Sequence, residues 1–462
     1  MANAASIISP PEGLWGNVRH VLALAMPVAL AELGWVSMNV VDTIMVGRLG
    51  PSAIGAIAVG GSTFYAFAVF GMGILLGLDT LVSQAFGAGD HDDCIRSLIT
   101  GVYLALFLAP VLTLFFYLAP SFFGLIGINK TVSALAADFL HSLSLSTTPL
   151  LLYGAFRRYL QAMGQVRPIM YTLVSANLVN WLFNWLLIEG HWGFPAYGIK
   201  GSALSTVMAR LYMAAVLALC IWWLDERRGR RDKTGIFRKP DWKRLRTLFG
   251  LGLPAATQIL LEIAAFGATA LLAGRLTPTA LAAHQIAINV ASVSFMIPLG
   301  IGSAAAVTVG HAMGRREGSI ARKHGFIALG IAGIFALCAA SLFLSFPRQI
   351  LRIYTEDRDV LQVGTTLLVI AAGFQLFDAV QTVATGALCG LGNTQTPMLV
   401  NLGGYWIFGL PIGCLLCFRF GYGIYGLWAG LTGSLIVIAL LLLYTWNRQS
   451  QPSGRLVKRF VN

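Results

Sequence analysis

Charge is what this sequence has least of: 11% of its 462 residues are Asp, Glu, Lys or Arg, against 57% hydrophobic. A soluble domain carries roughly 25% charged residues, so an ordinary soluble fold is excluded. Acids are scarcer than bases, 19 against 32, and any acid inside an apolar run stands out. Cysteine is sparse as well, with six residues at 94, 220, 338, 389, 414 and 417. Cys414-Leu-Leu-Cys417 has redox or zinc spacing but no His or acid beside it, so these read as small buried hydrophobes and no metal site is expected. H-E-x-x-H and G-x-S-x-G are missing, and Asn129-Lys-Thr lacks the glycines of a phosphate loop, which leaves no sign of an enzyme or of a cofactor. No basic residue precedes Arg19, so a signal-peptide n-region is lacking and the first apolar run is expected to stay as a span.

What the chain does have is long apolar blocks. About 20 apolar residues cross a hydrocarbon core of roughly 30 Å as a helix, and only helices or closed barrels satisfy the backbone there. The blocks are too long for barrel strands. The expected fold is an all-α integral membrane protein with spans at 18–45, 53–83, 96–118, 133–157, 168–188, 199–224, 246–273, 281–310, 322–346, 360–388, 397–418 and 424–447. Gly50-Pro51, Gly127, Gly190, Gly392-Asn393 and Gly421 punctuate them. Residues 1–17 form an N-terminal tail, 18–224 a first six-helix lobe, 225–245 a basic loop, 246–447 a second lobe and 448–462 a C-terminal tail.

The formal charge of +13 is concentrated beside spans, at Arg227, Arg228, Arg230, Arg231, Lys233, Arg238, Lys239, Lys243, Arg244 and Arg246, and again at Arg448, Arg455, Lys458 and Arg459. Basic loops of this kind mark the cytoplasmic side, so both termini face the cytoplasm of an inner membrane. Without aromatic interleaving or a known motif, the charge does not read as a nucleic-acid surface.

The two lobes are one unit written twice. Displaced by 227 residues, Pro254 falls on Pro27, Gly274-Arg275-Leu276 on Gly47-Arg48-Leu49, Pro278 on Pro51, Gly300 on Gly73 and Gly314 on Gly87. Tyr197-Gly-Ile-Lys-Gly201 answers Tyr422-Gly-Ile-Tyr-Gly426. With six spans per copy both copies enter from one side, so a pseudo-twofold axis along the membrane normal is expected, as in transporters built from parallel repeats.

The copies differ in their buried charges. Glu262 lies eight residues past Pro254, mid-span, and Asp378 lies in GFQLFDAVQTVATGALCG with Gln375 and Gln381 three residues to either side. An acid at such depth costs a few kcal/mol to insert, so both are candidates for ion coupling or substrate binding. The first copy holds Asp42, with Glu32 ten residues earlier as a cavity candidate. Asn180 and Asn184 share a helix face, and Asp42 is a candidate partner. Gln285 and Asn289 share a face of the eighth span after His284. Arg210 is a buried cation that needs an acid or water, and Asp79 reads as structural. Gly73-x-x-x-Gly77 and Gly386-x-x-x-Gly390 permit close helix contact.

The stretches MPVALAELGWVSMNVVDTIMVGRLG, LGLPAATQILLEIAAFGATALLAGRL, TALAAHQIAINV, YTED and FDAVQTVATGALCGLGNTQTPM, in this order over residues 18–447, resemble the multidrug and toxic compound extrusion (MATE) family, in its NorM-type branch. The resemblance implies a twelve-helix antiporter that exports cationic drugs in exchange for Na⁺ or H⁺. It places the coupling acids on Asp42, Glu262 and Asp378 and the first-lobe amides on Asn180 and Asn184. Glu32 departs from the family pattern. So does Phe374, where some relatives carry Tyr, and its missing hydroxyl counts against a Na⁺ shell at Glu262 and Asp378.

The expected function is therefore efflux of cationic amphipathic compounds by a membrane-embedded monomer, with no nucleic-acid partner. A buried carboxylate can hold a coupling ion in one step and a drug cation in the next. H⁺ is favoured over Na⁺, because a proton needs one carboxyl whereas a hard cation wants several oxygens. The main alternative is a flippase for a lipid-linked precursor, whose anionic head groups would call for a cationic lining.

Overall fold

The structure is a computed structural model that describes residues 13–124, 127–227 and 241–451. The expected tails and basic loop fall largely outside these ranges. Among the described residues the regular structure is helical, in twelve rods close to the expected spans and one short helix, Pro347–Arg352, between the ninth and tenth: α1 (Leu14–Gly47), α2 (Pro51–Gly87), α3 (His91–Phe122), α4 (Lys130–Ser144, resuming as Thr147–Ala162), α5 (Val166–Ile188), α6 (Ile199–Glu226), α7 (Trp242–Ala273), α8 (Pro278–Gly314), α9 (Gly318–Ser345), α10 (Arg358–Gly390), α11 (Gln395–Arg419) and α12 (Gly423–Gln449). Ten are long and apolar enough to cross a membrane on those grounds alone. The other two are α4, broken at Leu145 and Ser146, and α5, diluted by Asn177, Asn180 and Asn184. The break leaves α4 as pieces of 15 and 16 residues, and the amides of α5 matter below.

The helix starts follow from local chemistry. Gly50 takes φ 105° ahead of Pro51, a conformation that favours glycine, and proline suits the first helical turn. At the equivalent place in the second copy Thr277 caps α8, accepting from the Ala280 amide at 3.1 Å, with Pro278 next. Asp90, Asn129 and Asp357 cap α3, α4 and α10 through their side-chain oxygens. Each satisfies backbone amides that would otherwise lack a partner at a helix start.

The chain divides into two compact units. One comprises the described parts of Met1–Ala29, Ser83–Gly89 and Thr257–Asn462; the other comprises those of Leu30–Val82 and Asp90–Ala256. Relative to the ranges 18–224 and 246–447, the leading parts of α1 and α7 change places, each just past its proline, Pro27 or Pro254.

Both units are sealed by glycines at which backbones meet. In the first, a Cβ on Gly386 would run into the backbone of Gly302, and one on Gly390 into Ala306 and Val309, so α10 lies directly on α8. In the second, Gly73 abuts Ala256 and Gly77 abuts Leu248 and Gly252, which seats the leading part of α7 on α2. Lipid offers no hydrophobic gain for joining apolar helices, so such close approach supplies the van der Waals energy that holds them together.

Candidate functional site

Each unit holds one cluster of polar residues around the acids singled out in the sequence. In the unit built on Leu30–Val82 and Asp90–Ala256, Asp42 projects from α1 toward α5 and α6. Asn184 Nδ2 donates to Asp42 Oδ1 at 2.6 Å and also to Asn180 Oδ1 at 3.1 Å. The two amides are one helical turn apart and wholly buried, as their spacing predicts. Thr206 on α6 donates to Asp42 Oδ2 at 3.3 Å. Asp42 is itself buried.

Glu32 does not join Asp42. It forms an ion pair with Arg157 of α4. One residue on, Arg158 pairs with Asp79 of α2 at 3.1 Å, in line with a structural role for that acid. A single charge left in such a setting costs several kcal/mol, so each pair is held together by the penalty of parting it. Trp35 stacks on Tyr153 with ring centroids 6.4 Å apart, beside the Glu32 pair. Arg210 is also buried; its Nη1 donates to Ser146 Oγ and its guanidinium sits 4.6 Å from the centre of the Phe64 ring.

The other unit places Glu262 of α7 and Asp378 of α10 close enough for their charges to interact. Asp378 is 5% exposed, and its Oδ1 has no hydrogen-bond partner among the described residues. Gln381, one turn beyond Asp378, is the hub. Its Nε2 donates to Glu262 Oε2 at 3.5 Å and to Asn401 Oδ1 at 3.2 Å, and its Oε1 accepts from Tyr405 Oη at 3.3 Å. Because the phenol supplies the donor, the amide is oriented with its NH₂ toward the carboxylate. Tyr405 and Trp406 come from a π-helical stretch of α11, Leu402–Gly409. Trp406 Nε1 donates to the carbonyl of Leu261, the neighbour of Glu262, at 3.1 Å. This wider turn thus serves both sides of the cluster, a recurrent use of π-helical segments.

Four expected residues lie elsewhere. Gln375 turns to α8, donating to Ser294 Oγ and to Ala291 O, so it belongs to the α8–α10 contact and not to the carboxyl pair. Gln285 and Asn289 are on the exposed face of α8, while neighbouring His284 is buried and accepts from Trp428 Nε1 at 3.1 Å. Phe374 is buried between Phe266 and Trp428, at 6.1 and 6.0 Å between ring centres.

Sequence reasoning missed Arg157, Arg158, Thr206, Asn401 and Tyr405. The hydroxyl that Phe374 lacks is present nearby, on Tyr405 of another helix. A tyrosine in the middle of the apolar run LGGYWIFG was the available signal.

A single family model, MatE, matches the chain twice, over residues 27–186 and 254–415. The chain belongs to the MatE family. Its two matched copies start 227 residues apart, at Pro27 and Pro254, which is the displacement at which the sequence repeats. Among MatE relatives, the chain is 34% identical to a probable multidrug resistance protein NorM of Mesorhizobium japonicum, over 96% of each chain. It is also 34% identical to a protein of the same description from Geobacillus kaustophilus, over 97% of this chain and 98% of that one. The fold matches that of a eukaryotic MATE transporter, AtDTX14, with a TM-score of 0.83 at 22% identity, covering 95% of this chain and 98% of that one. MatE membership and the resemblance read from the sequence therefore agree.

Proposed function

We propose that this chain is a multidrug efflux antiporter of the cytoplasmic membrane, multi-pass with both termini inside, that exports cationic amphipathic compounds as a monomer in exchange for a coupling cation. The observation that carries this reading is the pair Glu262 and Asp378, a half-buried and a buried acid within electrostatic reach of one another beside Gln381. Two carboxylates so placed repel, and a cation relieves the repulsion, so the site has reason to bind a coupling ion or a drug cation but not to stand unliganded. The names of the relatives support the choice of drugs as cargo. Glu262 and Asp378 act as the principal coupling groups, with Asp42 as a third, and Gln381 and Asn401 hold the pair in place.

H⁺ is the favoured coupling ion. Around Asp378, Phe374 offers no oxygen and Gln375 is turned away. A hard cation would have to recruit its shell from what remains. The flippase alternative is not favoured: the guanidiniums of buried Arg157 and half-buried Arg158 are already matched by Glu32 and Asp79.

The test is drug movement into everted vesicles driven separately by an imposed pH gradient without sodium and by a Na⁺ gradient at uniform pH. Movement in the first arm is expected. Its absence there, with movement in the second, replaces H⁺ by Na⁺; absence in both overturns the antiporter.

A further inference from the structure

Beside the carboxylate of Asp42 stands a cation belonging to the protein itself. Arg210 follows Thr206 by four residues on α6, so the two side chains leave one face of the helix. Thr206 reaches Asp42, and Arg210 is close enough for its charge and that of Asp42 to act on one another. Yet its Nη1 is held by Ser146 Oγ and not by the carboxylate.

That restraint is built in. Ser146 lies in the break of α4, where its hydroxyl is free of regular helix packing and donates onward to Leu143 O at 2.6 Å. The guanidinium faces the rings of Phe64 at 4.6 Å and Trp35 at 6.0 Å. A cation over an aromatic face is stabilised without being neutralised. At 8% exposure Arg210 is thus fixed as a charge near Asp42 but short of closing on it. The other charged groups of this region are paired already, Glu32 with Arg157 and Asp79 with Arg158. From α5 only the uncharged amides of Asn180 and Asn184 face the carboxylate.

The oxygen atoms around Asp42 would on their own hold a cation firmly. Asn184 Oδ1 is buried and unbonded among the described residues, and Asn180 Oδ1 and Thr206 Oγ1 lie within the same cluster. An ion held too firmly cannot be released, and an exchanger must release it in every cycle. A resident positive charge weakens the hold on any arriving cation, proton or alkali ion alike.

We propose that Arg210 is a tethered counter-cation for Asp42, a positioning residue that lowers the affinity of this cluster for the coupling cation so that the ion can leave. This rests on the antiport reading above. Ser146 and Phe64 set the strength of the effect by keeping the guanidinium at a distance.

The full chain in proteoliposomes tests it, with transport measured against proton concentration without sodium and against Na⁺ at fixed pH. In Arg210→Gln the half-saturating concentration of the coupling cation falls about ten-fold and maximal turnover falls with it, while Arg210→Lys stays near the parent value. The shift vanishes when Asp42→Asn is added. Unchanged half-saturation in a folded Arg210→Gln protein, or an equal shift without Asp42, overturns the proposal.

Should Arg210→Gln not fold, Ser146→Ala keeps both charges and reads the same quantity. The freed guanidinium closes on Asp42 and half-saturation rises about three-fold; no rise overturns the idea. Cation titration of the purified full chain, followed by tryptophan fluorescence, separates the two readings. A variant-dependent shift in binding there supports the Arg210 role even if no gradient drives drug, whereas identical titrations sink it alone.

Discussion

At the scale of single residues, the two clusters differ in how their charge is balanced. Asp42, Glu32 and Asp79 each face a guanidinium, whereas the charge that acts on Asp378 is another acid, Glu262. Glu262→Gln and Asp378→Asn are therefore expected to abolish uphill export while leaving insertion intact, since removing a deep charge lowers an insertion cost of about 3 kcal/mol. Export assays and yields of membrane-extracted protein check both halves of that statement; normal uphill export by either variant removes that acid from the coupling groups. Tyr405→Phe deletes the donor that orients Gln381. A net hydrogen bond of about 1 kcal/mol corresponds to roughly a five-fold slower initial rate, read in proteoliposomes. An unchanged rate would mean that Asn401 and Glu262 hold Gln381 without the phenol.

At the scale of helices, backbone contact and paired charge do the joining. Gly386→Leu forces α10 off Gly302 of α8, and overpacking of this kind costs about 1–3 kcal/mol or more. The expected result is a clear fall in the thermal unfolding midpoint. Gly330→Leu on α9 makes the control, because a Cβ there meets nothing within 4 Å and the midpoint should hold. Equal behaviour of the two variants would argue against the seam. Arg158→Leu strands Asp79, a loss of about 3–5 kcal/mol for a buried pair. Adding Asp79→Leu should restore part of that stability in the same melting assay.

At the scale of the whole molecule, the repeat and the basic loops lead to one topological expectation. On the proposed topology, with both ends in the cytoplasm, a fluorescent protein fused after Asn462 should light up and alkaline phosphatase fused there should stay inactive. The opposite pattern would reverse the orientation and with it the direction assigned to export. The division into units adds something the repeat does not contain. The leading parts of α1 and α7 each fall in the unit made mainly by the other copy, and the change comes a few residues past Pro27 and Pro254. Helical periodicity is local and carries no information about which bundle a rod joins. That membership is set by where small residues such as Ala25, Ala29, Gly252 and Ala256 find a facing glycine or backbone.

By itself the sequence determined the helical membrane fold, the doubled unit, and that Glu262, Asp378 and Asp42 stand as acids inside apolar spans. Those follow from run lengths, a fixed displacement and the cost of an acid in hydrocarbon, all of which can be read along one dimension. It also determined that Asn180 and Asn184 share one helix face, since one helical turn separates them. Only the tertiary structure decided partners: Glu32 with Arg157 and not Asp42, Gln375 with α8, Gln381 with Tyr405 and Asn401, Arg210 with Ser146 and Phe64. A buried polar group must be satisfied, but many arrangements satisfy it equally well in principle. Which one is realised depends on how helices distant in the chain are turned toward each other, and that is fixed by packing.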